Sequence, residues 1–383
     1  MSLPKPHIGP DSFFHKTSPP TCAPSSPSCP TTIYFISGNP GLISYYHPFL
    51  SLLSKNLTSA SSPGQDSFHV FGHSLAGFEL EPAPSSFKTN SRTEKAKTKQ
   101  PPGTSNGYYY NVEDQIRFVQ ARLEAHMAAL RTESANSSPS ASDTDVPSQR
   151  PRVILMGHSV GTYIAMEVLR RHRENQATAA GFDIVGGIML FPTVIDIAGS
   201  PAGQKLTFLL RFIPQLALLV SLFSRLLTSI LPNSIIRAAV RSVMRSPPET
   251  AIDATTAFLK SKRGVRQALH MGADEMRTIT TDKWSDDVWG VSKAKEGSRP
   301  QEQLLTRLFF YFGRNDHWVA EQTREEIIAA RGTMQNGPRM IVCEESLPHA
   351  FCLRHNETMA NKVADMVQEI LELDGVDNRG NLH

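Results

Sequence analysis

Cysteine is scarce in this sequence. Cys22, Cys29, Cys343 and Cys352 are the only four in 383 residues. None stands at the spacing of a metal site, and four in so long a chain do not make a disulfide scaffold. A reducing compartment is the expected setting. An excess of charge is also missing. Lys and Arg number 39 against 36 Asp and Glu, a formal net charge of +3. That gives no electrostatic case for nucleic acid. The opening MSLPKPHIGPDSFFHKTSPP holds no apolar core of signal-peptide length, so secretion is not expected. The sequons at Asn56, Asn136 and Asn356 are then coincidental. No phosphate loop, dinucleotide fingerprint or metal cluster appears, so neither cofactor nor metal is expected. What is present, 40% hydrophobic and 20% charged residues, suits one large α/β domain with insertions, or two domains.

The stretch that organises the chain is Arg152 to Arg171, RVILMGHSVGTYIAMEVLRR. Val153 to Met156 form a short run, apolar on both faces, which suits a buried parallel strand. Ile164, Val168 and Leu169 then recur at helical spacing, and Arg170 and Arg171 favour the end of a helix dipole. Between them lies Gly157-His158-Ser159-Val160-Gly161. Strand, G-x-S-x-G, helix is the setting of a nucleophile elbow, with Ser159 at its tip. The helix start places the Val160 N–H beside the serine oxygen, where a developing oxyanion needs a donor.

The other segments alternate between strand and helix. Residues 1–30 are rich in Pro and Ser and read as a disordered leader. Ile33–Ile36 is a strand running into Ser37-Gly38-Asn39-Pro40-Gly41, followed by a helix over Tyr45–Leu57. Pro40 has no N–H. The turn resembles the oxyanion loop of α/β hydrolases, and that resemblance makes Asn39, by its position in the motif, the expected second oxyanion donor; an ordinary Asn-Pro-Gly turn is the alternative. Phe68–Phe71 is a strand leading to a rival motif, Gly72-His73-Ser74-Leu75-Ala76-Gly77. Prolines follow this motif, so Ser74 would lack the helix start that an elbow needs. His73 and Ser74 would either line the pocket or form a plain polar loop. Residues 81–107 and 131–150 read as surface insertions, and Val112–Leu130 as a helix. Gly187–Phe191, Leu304–Phe312 and Arg339–Cys343 read as strands, Glu321–Ala330 and Asn356–Leu373 as helices. This alternation implies a mostly parallel sheet with helices on both faces.

Residues 200–290 break the alternation and read as a helical apolar cap between core segments 31–199 and 300–375. Leu206–Leu231 is interrupted by Arg211, Pro214 and Arg225. Its charge-free run is shorter than the ~20 residues of a membrane-spanning helix. A helical hairpin dipping into one leaflet is expected instead. In Ser234–Arg245, Arg237, Arg241 and Arg245 stand four apart and would form one basic stripe. A basic amphipathic helix beside an apolar one points to a lipid surface.

Ser159, Asp316 and His349 occur in the chain order of an α/β-hydrolase triad, each just after an expected strand. Ser159 would attack a carbonyl, His349 would move the proton, and Asp316 would orient the imidazole. Asp286 and Asp287 are weaker acids because no strand leads into them. His158 is directed away from the reaction by the elbow, and His317 is the fallback base.

Four blocks together resemble the lipid droplet-associated hydrolases, a branch of serine lipase-like α/β hydrolases. They are Gly38-Asn39-Pro40-Gly41 with Tyr45, Tyr46 and Phe49; the elbow with Tyr163; Leu190-Phe191-Pro192-Thr193 followed by Ser200-Pro201-Ala202-Gly203; and Phe312-Gly313 with Asp316 and Trp318, then His349-Ala350-Phe351. The resemblance implies an α/β-hydrolase fold and an esterase-type triad at Ser159, Asp316 and His349. It also implies residence on lipid droplets and the cytosolic face of the endoplasmic reticulum, with the segment after Gly203 targeting the droplet monolayer. A sterol ester is the implied substrate type. Two functions then compete: a droplet-bound ester hydrolase, and a droplet-organising protein whose hydrolase fold is a scaffold. A soluble thioesterase or small-ester hydrolase is a third, disfavoured by the apolar cap.

Overall fold

The computed structural model describes residues 5–17, 30–60, 67–80, 109–136, 150–175, 181–213, 215–291, 306–334 and 337–380. Eight strands form one sheet: β1 (His7–Gly9), β2 (Ser12–Thr17), β3 (Thr31–Ile36), β4 (Phe68–His73), β5 (Arg152–His158), β6 (Asp183–Leu190), β7 (Arg307–Phe312) and β8 (Arg339–Val342). Their order is β1-β2-β4-β3-β5-β6-β7-β8, with β3 to β8 parallel and β1 and β2 antiparallel additions at one edge. Alternation along each strand explains the two-sided burial. In β5, Val153 and Leu155 join the apolar cluster on one face, while Ile154 and Met156 join the other.

Helices α2 (Val112–Asn136) and α3 (Val160–Glu174) cover the first face through Ile116, Val119, Ile164 and Val168. Helices α1 (His47–Ala60) and α10 (Asn356–Gly380) cover the other through Phe49, Leu53, Val363 and Val367. Between β6 and β7 the described residues build five helices: α4 (Pro201–Phe212), α5 (Leu216–Ile230), α6 (Asn233–Val243), α7 (Glu249–Lys260) and α8 (Gly264–Thr278). Helix α9 (Glu321–Ile327) follows β7. A three-residue 3-10 turn, Ile197–Gly199, precedes the cap. The expected α/β-hydrolase fold with a helical cap is therefore present.

Two expectations need correction. Residues 7–17 are not a disordered leader but a hairpin that extends the sheet beside β4. The Pro and Ser content hid a short alternation: Phe13, His15 and Thr17 are buried. Asp11 in its turn accepts hydrogen bonds from the Ser74 hydroxyl and the Leu80 N–H, which ties the hairpin down. The basic stripe is also not free. Arg237 pairs with Glu249 and Asp253, and Arg241 with Glu249 at 2.5 Å, so α7 neutralises it. Arg245 lies beyond α6 in the left-handed region, with φ 55°. The insertion over 81–107 lies outside the described residues. In the other insertion, 131–136 continue α2 and residue 150 is described, while 137–149 lie outside.

The cap exposes a broad apolar surface, with Lys205, Arg211 and Arg225 exposed among it. Phe208, Phe212, Leu222, Phe223 and Ile230 of α4 and α5 are between 51% and 69% exposed. Val243 of α6 is 83% exposed. The axes of α4 and α5 meet at 94°. Among the described residues no single helix is long and apolar enough to cross a membrane.

Candidate active site

Ser159 sits between β5 and α3 with φ 54° and ψ −129°, a conformation that L residues avoid and that costs ~1–3 kcal/mol. Its neighbours must be small because backbone crosses them. A Cβ on Gly161 would meet the Ile36 carbonyl oxygen at 2.3 Å, and one on Gly157 would meet the Gly161 carbonyl oxygen at 2.5 Å. A Gly161→Ala substitution forces backbone apart rather than a flexible side chain. Its expected result is about 2 kcal/mol or more of lost stability, read as a melting temperature lower by about 2–3 °C or more. An unchanged melting temperature would contradict this geometry.

Asp316 lies in the turn after β7 and His349 in the loop after β8. The His349 Nδ1–H donates to Asp316 Oδ2 at 2.7 Å. Asp316 Oδ1 accepts the Trp318 N–H at 2.8 Å, which fixes the carboxylate. With Nδ1 engaged, Nε2 is the basic nitrogen of His349. Ser159 and His349 line one cavity of about 530 Å³, together with Asn39, Tyr45, Tyr46, His158, Glu275 and several apolar cap side chains. Val160 is the first residue of α3, and the first N–H groups of a helix have no intrahelical acceptor. Asn39, in the loop beside Ser159, also lines the cavity and has a cis bond to Pro40. Its side-chain N–H groups donate to Ala268 O and Glu275 Oε1, both at 2.9 Å. The donor left to Asn39 for an oxyanion is its backbone N–H.

His158 does not merely point away. Its Nε2–H donates to the His349 carbonyl oxygen at 2.9 Å, and its Nδ1 accepts the Tyr46 hydroxyl at 2.8 Å. The Tyr46 oxygen in turn accepts the Gly38 N–H at 3.3 Å. Only one tautomer satisfies this chain: the neutral ring protonated at Nε2. Burial first, and the nearby His349 second, hold the His158 pKa well below its ordinary value, consistent with that neutral form. His158 therefore braces the loop that carries His349 against the loop that carries Asn39. Sequence reasoning missed this brace, although Tyr46 and His158 both lie inside the blocks it singled out.

The rival residues have other work. His73 accepts or shares a proton with the Tyr34 hydroxyl at 3.1 Å, and the Ser74 hydroxyl donates to Asp11. Neither lines the cavity, so the polar-loop alternative holds. Asp286 and Asp287 pair with Arg331 and Arg173. His317 is exposed and off the cavity. Cys352 lines the cavity, but burial pushes its thiol up to about 12, which leaves a poor nucleophile. Among the described residues no group of His, Cys, Asp or Glu could hold a metal ion.

The Ser-Pro-Ala-Gly block proves to be a helix start. The Ser200 hydroxyl accepts the Gly203 N–H at 3.0 Å and Pro201 opens α4. The Ala202 N–H donates to the His317 carbonyl oxygen at 2.8 Å, so the cap begins on the Asp316 loop.

A sequence model described as lipid-droplet associated hydrolase matches residues 29–352. Proteins named lipid droplet-associated hydrolase align with most of the chain. The one from Mus musculus is 26% identical, covering 88% of this chain and 84% of its own. The one from Drosophila melanogaster is 26% identical, with coverages of 87% and 88%. The one from Dictyostelium discoideum is 22% identical, with coverages of 87% and 86%. Among solved structures, a haloalkane dehalogenase from Bradyrhizobium elkani superposes with a TM-score of 0.49 at 12% identity, covering 97% of this chain and 98% of its own.

Proposed function

The chain belongs to the lipid-droplet associated hydrolase family, and we propose that it is a serine ester hydrolase of neutral lipid at the droplet surface. The single observation that carries this reading is where the cavity lies. Ser159 and His349 line it together with Leu206, Val220, Met244 and Phe258 of the cap. Val220 is itself 38% exposed and belongs to α5, the helix of Phe223 and Ile230. The cavity and the apolar outer face thus share a helix. A ligand dissolved in lipid could pass from one to the other without crossing water.

The chemistry follows from the donors and the base. His349 Nε2 takes the Ser159 hydroxyl proton as the serine oxygen attacks the ester carbonyl. The tetrahedral oxyanion is held by the backbone N–H groups of Val160 and Asn39. His349 returns the proton to the leaving alcohol, and water then releases the acid by the same route. Asp316 holds the imidazole in the tautomer this needs and stabilises its charge. A cavity of about 530 Å³ is the size that encloses one small ligand. It takes one part of a bulky ester such as a sterol ester, while the rest stays in the lipid.

The exposed cap face sets the strength of attachment. Each partly uncovered side chain contributes ~1 kcal/mol on entering lipid, so six give about 6 kcal/mol. That compares with the ~5–6 kcal/mol of one myristoyl chain, a reversible hold. Residence on droplets and on the cytosolic face of the endoplasmic reticulum fits that strength. Replacing Phe212, Phe223 and Ile230 together by serine is expected to weaken binding to phospholipid-coated triacylglycerol droplets about a hundredfold. Flotation measures it, and equal flotation of native and triple-variant protein would rule out this face.

A second reading is favoured by the extent of the apolar face, which reaches α6 and Val243, beyond the cavity wall. There the protein organises droplets and turnover is incidental. Hydrolysis of emulsified sterol ester by native protein, compared with Ser159→Ala, separates the two. Turnover that depends on Ser159 supports the hydrolase. None from either, with flotation intact, supports the organiser.

A further inference from the structure

We propose that Glu275 is a positioning residue that clasps the loop beside Ser159 to the cap through the Asn39 side-chain amide. Glu275 lies on α8, is 4% exposed and lines the cavity. Its Oε1 accepts one Asn39 Nδ2 hydrogen, and the Ala268 carbonyl oxygen, also on α8, accepts the other. Ala268 O can only accept, so the orientation of the amide is settled by chemistry. Asn39 Oδ1 is buried without a hydrogen-bond partner among the described residues. At Gly272 the two elements pass at contact distance: a Cβ there would sit 3.5 Å from Asn39 Nδ2, an ordinary van der Waals separation. Two hydrogen bonds from one side chain therefore join the oxyanion loop to one helix of the cap.

Burial is the main cause that raises the Glu275 pKa, from 4.5 to about 8. The Asn39 hydrogen bond opposes this, and the charge of Asp274 adds to it. The other titratable groups of the cavity are Tyr45, Tyr46, His158 and His349 from the core side and Cys352 from the loop after His349. The cap elements packed on α8 present only Leu206, Val220, Phe258 and Ile197 to the cavity. Among the described residues no Lys or Arg lines it. Near neutral pH the clasp is thus a neutral carboxyl against a neutral amide. When Glu275 ionises, the burial that raised its pKa becomes a cost, and letting water in between α8 and the loop relieves it. Because the folded pKa lies above the unfolded one, the folded state holds the proton more tightly. Stability from this group is full below about pH 4.5 and falls as pH rises towards about 8. The clasp loosens on the alkaline side.

The kinetic half of this proposal rests on the ester-hydrolase reading; the structural half does not. Hydrogen exchange over residues 37–43 and 264–278, corrected for intrinsic rates, is measured at pH 6.5 and 9 for native protein, Glu275→Gln and Glu275→Ala. Native protein is expected to exchange about tenfold faster at pH 9 in both segments. Glutamine, isosteric with the neutral acid, removes the pH difference, and alanine gives fast exchange at both pH values. In parallel, alanine is expected to lower kcat on a nitrophenyl ester by about tenfold or more at pH 7 with KM nearly unchanged, as a misplaced donor would. Glutamine restores kcat and extends activity to higher pH. The same pH profile in native and Glu275→Gln protein, or unaltered exchange at 37–43 in Glu275→Ala, overturns the clasp. A native protein without ester turnover that still shows the exchange pattern overturns the hydrolase reading and leaves the clasp standing.

Discussion

Replacing Ser159 by alanine lowers kcat for ester hydrolysis by on the order of 10⁴-fold or more, with little change in KM. The change deletes one oxygen. Ser159 N still donates to Leu190 O at 3.0 Å, and Thr162 N to Ser159 O at 2.8 Å, so the turn keeps its backbone bonds. Alanine faces the same φ of 54° as serine, so strain is unaltered. The cavity walls that hold the ester are untouched. The loss should therefore fall on the chemical step and not on binding or folding. Steady-state kinetics and a thermal melt of both proteins read this directly. Turnover within tenfold of native would mean that another group is the nucleophile.

Asp316→Asn is expected to reduce kcat by about 10⁴-fold while the protein stays folded. The local bonds explain why so conservative a change does so much. Asp316 Oδ1 accepts the Trp318 N–H, a contact the asparagine oxygen keeps. Its new amide group then occupies the place of Oδ2 and faces His349 Nδ1, which is 2.7 Å away in the native protein. A donor facing Nδ1 selects the tautomer that carries its proton on Nε2. That nitrogen can then no longer take the serine proton. The same kinetic assay checks it, alongside a melting curve. A loss of less than tenfold would show that Asp316 does not set the tautomer of His349.

Residues that act through local sequence were legible. The elbow reads from one continuous stretch, because a strand, a tight turn and a helix start each leave their own local mark. Asp316 and His349 read from order and from position after strands. The cap read from the loss of alternation and from Leu206–Leu231. Residues that act through distant partners were not legible. Glu275 sits in an amphipathic helix like many others, and only the fold brings it to Asn39, 236 positions away. His158 read only as directed away from the reaction, and the fold sets it between Tyr46 and the His349 carbonyl oxygen. The arginines of α6 share a helix face as their spacing predicts, yet the first turn of α7 supplies Glu249 to the same face. The hairpin at 7–17 needs the edge of β4 to complete it, so composition alone argued against it.

The central claim is that Ser159 is an activated nucleophile beneath a cap that meets lipid. Labelling by a fluorophosphonate probe tests it most directly, on native protein and Ser159→Ala, with and without phospholipid-coated droplets. The account predicts labelling of the native protein alone, at a rate that rises when droplets are present. Labelling that survives Ser159→Ala, or no labelling of native protein in either condition while it still binds droplets, would contradict it.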